Sequence, residues 1–147
     1  VEYIMNTQDG IALTGKLTIS LNDEIVQEVD NLVVTAGKEW VAARMKNTST
    51  VMTHMAIGTG TNAAAIGNTT LQTENARVAL TTSGGTVAGA VITFATTIAA
   101  GTGTGAVTEA GILNASSTGT MLARTVFSVV NKGVLDTMTI SWAVTIS

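Results

Sequence analysis

The chain has 147 residues, 46% hydrophobic and 12% charged, which suits one domain with room for a real core and falls well below the usual quarter of charged residues. Seven Lys and Arg without any cluster, in a chain of net charge -3, leave no basic face for phosphate, so nucleic-acid binding is not expected. The absence of Cys excludes a disulfide framework, a thiolate zinc site and a thiol nucleophile, and with no run of eighteen apolar residues and no basic-then-apolar leader no membrane association is expected.

Residues 10–21 read GIALTGKLTISL, with Leu13, Leu17, Ile19 and Leu21 alternating against Thr14, Lys16, Thr18 and Ser20. That period of two predicts a strand. Asn22-Asp23 turns it, and Ile25 to Val34 is the returning strand of an N-terminal hairpin, with acidic residues on its exposed side. Thr35 to Lys46 is the one helix expected, with Thr35 as N-cap, basic residues near its C-terminus and Trp40 as its anchor on a sheet. At about eleven residues it is marginal alone and depends on packing.

Val51 to Ile57 reads as a short strand, followed by a Gly58-Thr59-Gly60-Thr61 loop running to Asn68. Thr69 to Arg77 has Thr69 and Gln72 at capping-box spacing and is expected to form a helical turn. A brief strand over Arg77 to Thr82, a Gly84-Gly85 turn and a longer strand over Val87 to Ile98 come next, then a flexible Gly101 to Gly105 connection. In the last third, Met121, Ala123, Thr125, Phe127 and Val129 share one face of an extended chain. Met138, Ile140, Trp142, Val144 and Ile146 share one face of another. The link from Val130 to Asp136 carries turn residues, so an antiparallel pair is expected to close the chain.

Seven or eight strands and one short helix, without long helices between strands, predict a mainly β fold. It is read as a β-sandwich or jelly-roll-like antiparallel domain spanning 1–147. Composition agrees: 27 Thr and 15 Gly, with no Pro where about seven are usual, favour strands with turns made by Gly, Asn and Asp. Eleven of the seventeen charged residues lie in 1–46, the more charged N-terminal hairpin and helix. The remaining six, Glu74, Arg77, Glu109, Arg124, Lys132 and Asp136, are spread through the low-charge β body of 47–147. So few surface charges suit a chain that sits inside an assembly.

No cluster announces chemistry. The G-x-G pairs at Gly58 and Gly101 lack a third glycine, a following helix and a Gly-Lys-Ser/Thr ending, and are read as turns. His54 is the single histidine and has no carboxylate at ligand spacing, so it is read as a strand residue. Ser116, Ser117 and Ser128 lack a G-x-S-x-G context. Asp23-Glu24 and Glu28-Asp30 lack the alternating ligand loop of a calcium site and are read as a solvated face. Glycoside hydrolysis requires two carboxylates flanking a cleft, usually with aromatic platforms, and two Trp, one Tyr and two Phe are not clustered here; a carbohydrate-binding module is disfavoured on the same ground. A structural ion pair of Glu109 with Arg77 or Arg124 is preferred over a catalytic carboxylate, which has no second acid or base beside it. No catalytic residue, cofactor or metal site is assigned.

HMAIGTGT, then TTLQTENARVAL, then TEAGILNASSTGTMLARTVFSVVNKGVLDTMTISWAVTIS, together Met52 to Ser147, resemble the small β-rich structural proteins of tailed bacteriophages. The most specific part runs from Glu109 to Arg124. Related patterns occur in capsid decoration (cement) proteins and in attachment domains of tail-collar or fibre proteins. The motif marks a fold and transfers no catalytic residue. The resemblance implies a non-enzymatic virion protein on the outer capsid surface, a homotrimer bridging subunits of the major capsid protein. The alternative it implies is a tail component, a collar, adaptor or short tail-fibre base. A single low-charge β domain without fibrous repeats favours the cement reading.

Overall fold

The computed structural model describes residues 10–147. Its elements are β1 (Leu13–Leu21), β2 (Glu24–Asp30), β3 (Leu32–Val33), α1 (Thr35–Met45), β4 (His54–Gly58), β5 (Glu74–Ala79), β6 (Thr86–Ala88), β7 (Val91–Ile98), β8 (Gly105–Leu113), β9 (Met121–Lys132) and β10 (Met138–Ile146). They form two five-stranded sheets, in the orders β2-β1-β10-β7-β6 and β3-β9-β8-β4-β5. Neighbouring strands in both are antiparallel. The fold is thus mainly β and sandwich-like, with one short helix.

Alternation builds the core. Leu17 and Ile19 of β1, Ile140, Trp142 and Val144 of β10, and Phe94 and Ile98 of β7 point from the first sheet. Met55 and Ile57 of β4, Val107 and Ile112 of β8, and Phe127 and Val130 of β9 meet them from the second. Each such side chain contributes about 1.5–3 kcal/mol by leaving water. Trp142 is fully buried, and its indole N–H has no hydrogen-bond partner there, a polar cost accepted with a large apolar volume.

The sandwich is stitched at both sides. The strand expected over Ile25 to Val34 breaks at Asn31, where the chain leaves β2 in the first sheet and enters β3 in the second. Asn31 still donates its N–H to Gly15 O at 3.1 Å, and its side-chain amide stands where a Cβ on Gly15 would be, so a larger residue at 15 would have to displace that amide. On the other side Thr81 N–H donates to Ala95 O at 2.8 Å, and Thr96 Oγ1 donates to Ala79 O at 2.8 Å. Strands that change sheets in this way leave little free edge.

The second sheet is covered outside as well as inside. A second cluster forms there from Ala56, Leu113 and Met121 of the strands, Val34 before the helix, and Leu71 from the long segment between β4 and β5. Helix α1 packs against β9 so closely that a Cβ on Gly37 would collide with the backbone carbonyl of Leu122. Trp40 reaches the core from α1 and donates its indole N–H to Thr50 O at 2.7 Å.

Several expectations are corrected. The last two strands do not pair: β9 lies in the second sheet and β10 at the centre of the first, between β1 and β7. The segment after Lys132 therefore crosses the sandwich instead of making a hairpin. No helical turn forms over Thr69 to Arg77; residues 59–73 are a loop and β5 begins at Glu74. The strand expected over Val87 to Ile98 is a hairpin, β6 and β7, turning at Gly89, whose φ is +58°. The N-cap of α1 is Val34, without a side-chain cap, and Thr35 N–H donates to Ile66 O at 2.8 Å. Among the described residues there are ten strands, because two of the seven strands placed from the sequence each split and β8 is added. Among the described residues no helix is long and apolar enough to cross a membrane.

Candidate functional site

The pairing of β4, β8 and β9 sets Gly58 opposite Glu109, and Ala56 opposite Gly111, which in turn faces Arg124. Small residues beside the two charges give their side chains room on the outer face of the second sheet. Glu109 and Arg124 form a fully buried ion pair there, with Arg124 Nη2 2.8 Å from Glu109 Oε2 and Nε 3.0 Å from the same oxygen. The sequence left Arg77 and Arg124 open as partners of Glu109; Arg124 is the partner.

Both charges are saturated by the 59–73 loop. Glu109 Oε1 accepts the N–H of Thr73 at 2.7 Å and of Gly60 at 3.0 Å, and Oε2 accepts the N–H of Gln72 at 2.9 Å. Arg124 donates to Asn62 O at 3.0 Å, Asn68 Oδ1 at 3.0 Å and Ala63 O at 3.4 Å. Thr108 Oγ1 adds a bond to Gly60 O at 2.8 Å. Burial pushes the Glu109 carboxyl up, but the N–H groups of Thr73, Gln72 and Gly60 and the Arg124 guanidinium outweigh it and hold the group below the ordinary carboxylate value. A carboxylate with five donors and a guanidinium with every N–H engaged have no lone pair or proton turned to a substrate. The arrangement is a clamp that fixes a loop without secondary structure of its own onto a sheet.

Two smaller clamps use the remaining charges of the β body. Arg77 pairs with Glu74 at 2.7 Å and donates to Ala115 O at 3.0 Å and Thr118 O at 2.8 Å, which ties β5 to the β8–β9 turn. Lys132, fully buried at the end of β9, donates to Ala99 O at 2.9 Å and Asp136 O at 2.7 Å. Asp136 accepts from Asn22 Nδ2 at 2.8 Å and Gly133 N–H at 2.7 Å, and these bonds hold its carboxyl below the ordinary value. Nothing in the sequence singled out Lys132 or the loop amides, although Lys132 was one of only six charges in its region.

The other residues weighed from sequence lie apart. His54 Nδ1 sits 2.8 Å from Thr53 Oγ1 at the start of β4. Ser116 and Ser117 lie in the β8–β9 turn, and Ser128 is exposed on β9. Asp23 is in the β1–β2 turn with φ +68°, and Glu28 pairs with Lys16 across the hairpin at 3.6 Å between exposed side chains. Among the described residues no three His, Asp or Glu side chains come together as metal ligands would. Of the two glycine stretches read as turns, Gly58 is instead the last residue of β4 and Gly105 the first of β8, while Thr59 to Thr61 and Gly101 to Thr104 lie outside the strands.

An apolar concavity lies elsewhere. A groove of about 390 Å³ opens between α1 and the end of the first sheet, lined by Trp40, Val41 and Met45 on one side and Leu13, Val87 and Ile146 on the other. No protein family, curated protein or solved structure matches this chain.

Proposed function

We propose that the chain is a non-enzymatic structural protein of a tailed-phage virion, a decoration or cement protein on the outer capsid surface that ties neighbouring major capsid protein subunits together. In this reading it acts as a homotrimer. The observation that carries the proposal is the use made of the Glu109 to Arg124 segment, on which the phage resemblance rests. Its two charges are spent on clamping the 59–73 loop, and the other two cations of the β body, Arg77 and Lys132, donate to backbone carbonyls. A protein whose polar groups brace its own loops is suited to bear load. Multivalent attachment turns modest contacts per subunit into durable retention, which is what a shell under internal pressure requires.

The test is the copy number of this protein in purified virions, measured by quantitative mass spectrometry against the major capsid protein. A fixed ratio to the capsid subunit is expected. A handful of copies per particle would move the protein to the tail, as a collar, adaptor or fibre base. Its absence from virions would end both readings.

A further inference from the structure

We infer that copies of this chain join head to tail, with the Val134-Leu135 tip of one seated in the apolar groove between α1 and the first sheet of the next. The inference stands apart from the virion reading.

The tip is held rigidly. Val134 and Leu135 are the corner residues of the turn from Gly133 to Asp136, which Asp136 N–H closes by donating to Gly133 O at 3.1 Å. Gly101 N–H donates to Val134 O at 2.8 Å and ties the turn to the loop after β7. The buried Lys132 ammonium binds carbonyls of both segments, and Asn22 of the β1–β2 turn holds the Asp136 carboxylate. Turn corners ordinarily carry Gly, Asn, Asp or Ser. Here they carry Val and Leu, 62% and 85% exposed. An apolar pair fixed in one conformation before it meets a partner loses little entropy on docking.

The groove is the matching feature. Apolar side chains of α1, β1, β6, β7 and β10 line it, and its volume of about 390 Å³ suits two aliphatic side chains. Met45 and Val87 in its wall are themselves 84% and 73% exposed. Charge matches as well. Asp136 lies beside the tip, and the turn hydrogen-bonded to it carries the exposed Asp23 and Glu24. Arg44 is part of the groove wall, and the exposed Lys46 follows at the end of α1. The acidic collar of the tip thus meets a basic edge of the groove, which guides encounter and sets orientation.

The two features belong to different molecules when they meet. Strand β10 starts at Met138, just after the tip, and reaches the groove wall at Ile146, about 27 Å away along an extended chain. A chain therefore cannot fill its own groove with its own tip. The contact joins two unlike patches, so each docked copy still offers one tip or one groove to a further copy.

Sedimentation velocity of the full chain over a range of concentrations tests the contact. Leu135→Asp spoils the tip and Val87→Asp spoils the groove, both at exposed positions. The parent is expected to associate as concentration rises, and each variant alone to associate at least about tenfold more weakly. An equimolar mixture of the two variants still holds one intact tip and one intact groove, so it is expected to form a dimer of one copy of each and grow no further. A parent that stays monomeric, a variant that associates as the parent does, or a mixture that stays monomeric overturns the proposal. Should either Asp variant lose the parental Tm, Leu135→Cys mixed with Val87→Cys under mild oxidation replaces it, since the chain has no other Cys. A disulfide-linked mixed dimer in excess of random pairing is then expected, and random pairing overturns the proposal.

Discussion

Replacing Arg124 with Met keeps the side-chain stem and removes the guanidinium, and the consequence follows from what Glu109 then faces. Glu109 is fully buried, so its charge would lie in the sheet–loop interface without its counter-ion. Removing one partner of a buried pair costs about 3–5 kcal/mol. The 59–73 loop offers an escape by swinging out to let water reach the carboxylate. That escape exposes Leu71, worth about 2 kcal/mol, and breaks the bonds from Gly60, Gln72 and Thr73, each worth about 1 kcal/mol or more, so it is no cheaper. Either way Arg124→Met is expected to lose about 3–5 kcal/mol in urea unfolding followed by Trp fluorescence, and about 6–20 °C in Tm for a chain of this size. The double variant Glu109→Leu with Arg124→Met sharpens the argument. A buried pair that merely neutralises itself is often replaced by apolar residues without loss. Here three loop N–H groups and the carbonyls of Asn62 and Ala63 would lose their partners, so the double variant is expected to stay at least about 2 kcal/mol below the parent. A double variant as stable as the parent would refute the clamp.

Further expectations follow from other features. The Glu109 carboxyl is held below its ordinary value, so the stability it contributes is complete above about pH 4.3 and drains away as pH falls through the folded-state value; the parent should lose Tm in that acid range more steeply than Glu109→Gln. Lys132→Met should cost about 1–3 kcal/mol in urea unfolding by leaving Ala99 O and Asp136 O without a donor. Gly37→Ala, which favours an isolated helix by about 1 kcal/mol, should instead lower Tm, because the added methyl meets the Leu122 carbonyl and forces α1 off β9.

The strands were legible in sequence because a period of two survives wherever one face is buried, as in β1 and β10, where Leu17, Ile19, Ile140, Trp142 and Val144 all turn inward. Partnership was not legible, since alternation says which face is buried and nothing about which strand lies alongside. That is why β9 and β10 were paired with each other. In β9 the register shifts opposite Ile112 and Leu113, and Leu122 and Ala123 both enter the core, so strict alternation there was itself an overreading. The Glu109 and Arg124 pair was legible because charges are scarce in the β body. The loop it holds was not, because Thr, Asn, Ala and Gly carry no period, and of its two large apolar residues Ile66 is exposed and Leu71 sat where a capping-box spacing suggested a helix. The Gln72 of that spacing accepts Asn62 N–H at 2.8 Å through Oε1, and its own N–H goes to Glu109. Local propensity lost there to a long-range polar contact.

The position of β10 has a consequence for how the chain is made. It follows every other described strand in the chain and is the middle strand of the first sheet, with Leu13 opposite Ile146 and Phe94 opposite Trp142. Until residues 138–146 leave the ribosome, β1–β2 and β6–β7 are two separate ribbons of two strands each, too small to hold their apolar faces alone. The first sheet therefore forms late and in one step, by insertion of a strand between two waiting hairpins. Such distant pairings are slow and leave sticky edges open meanwhile. A low-charge sequence of this kind is most exposed to aggregation while nascent, before β10 arrives.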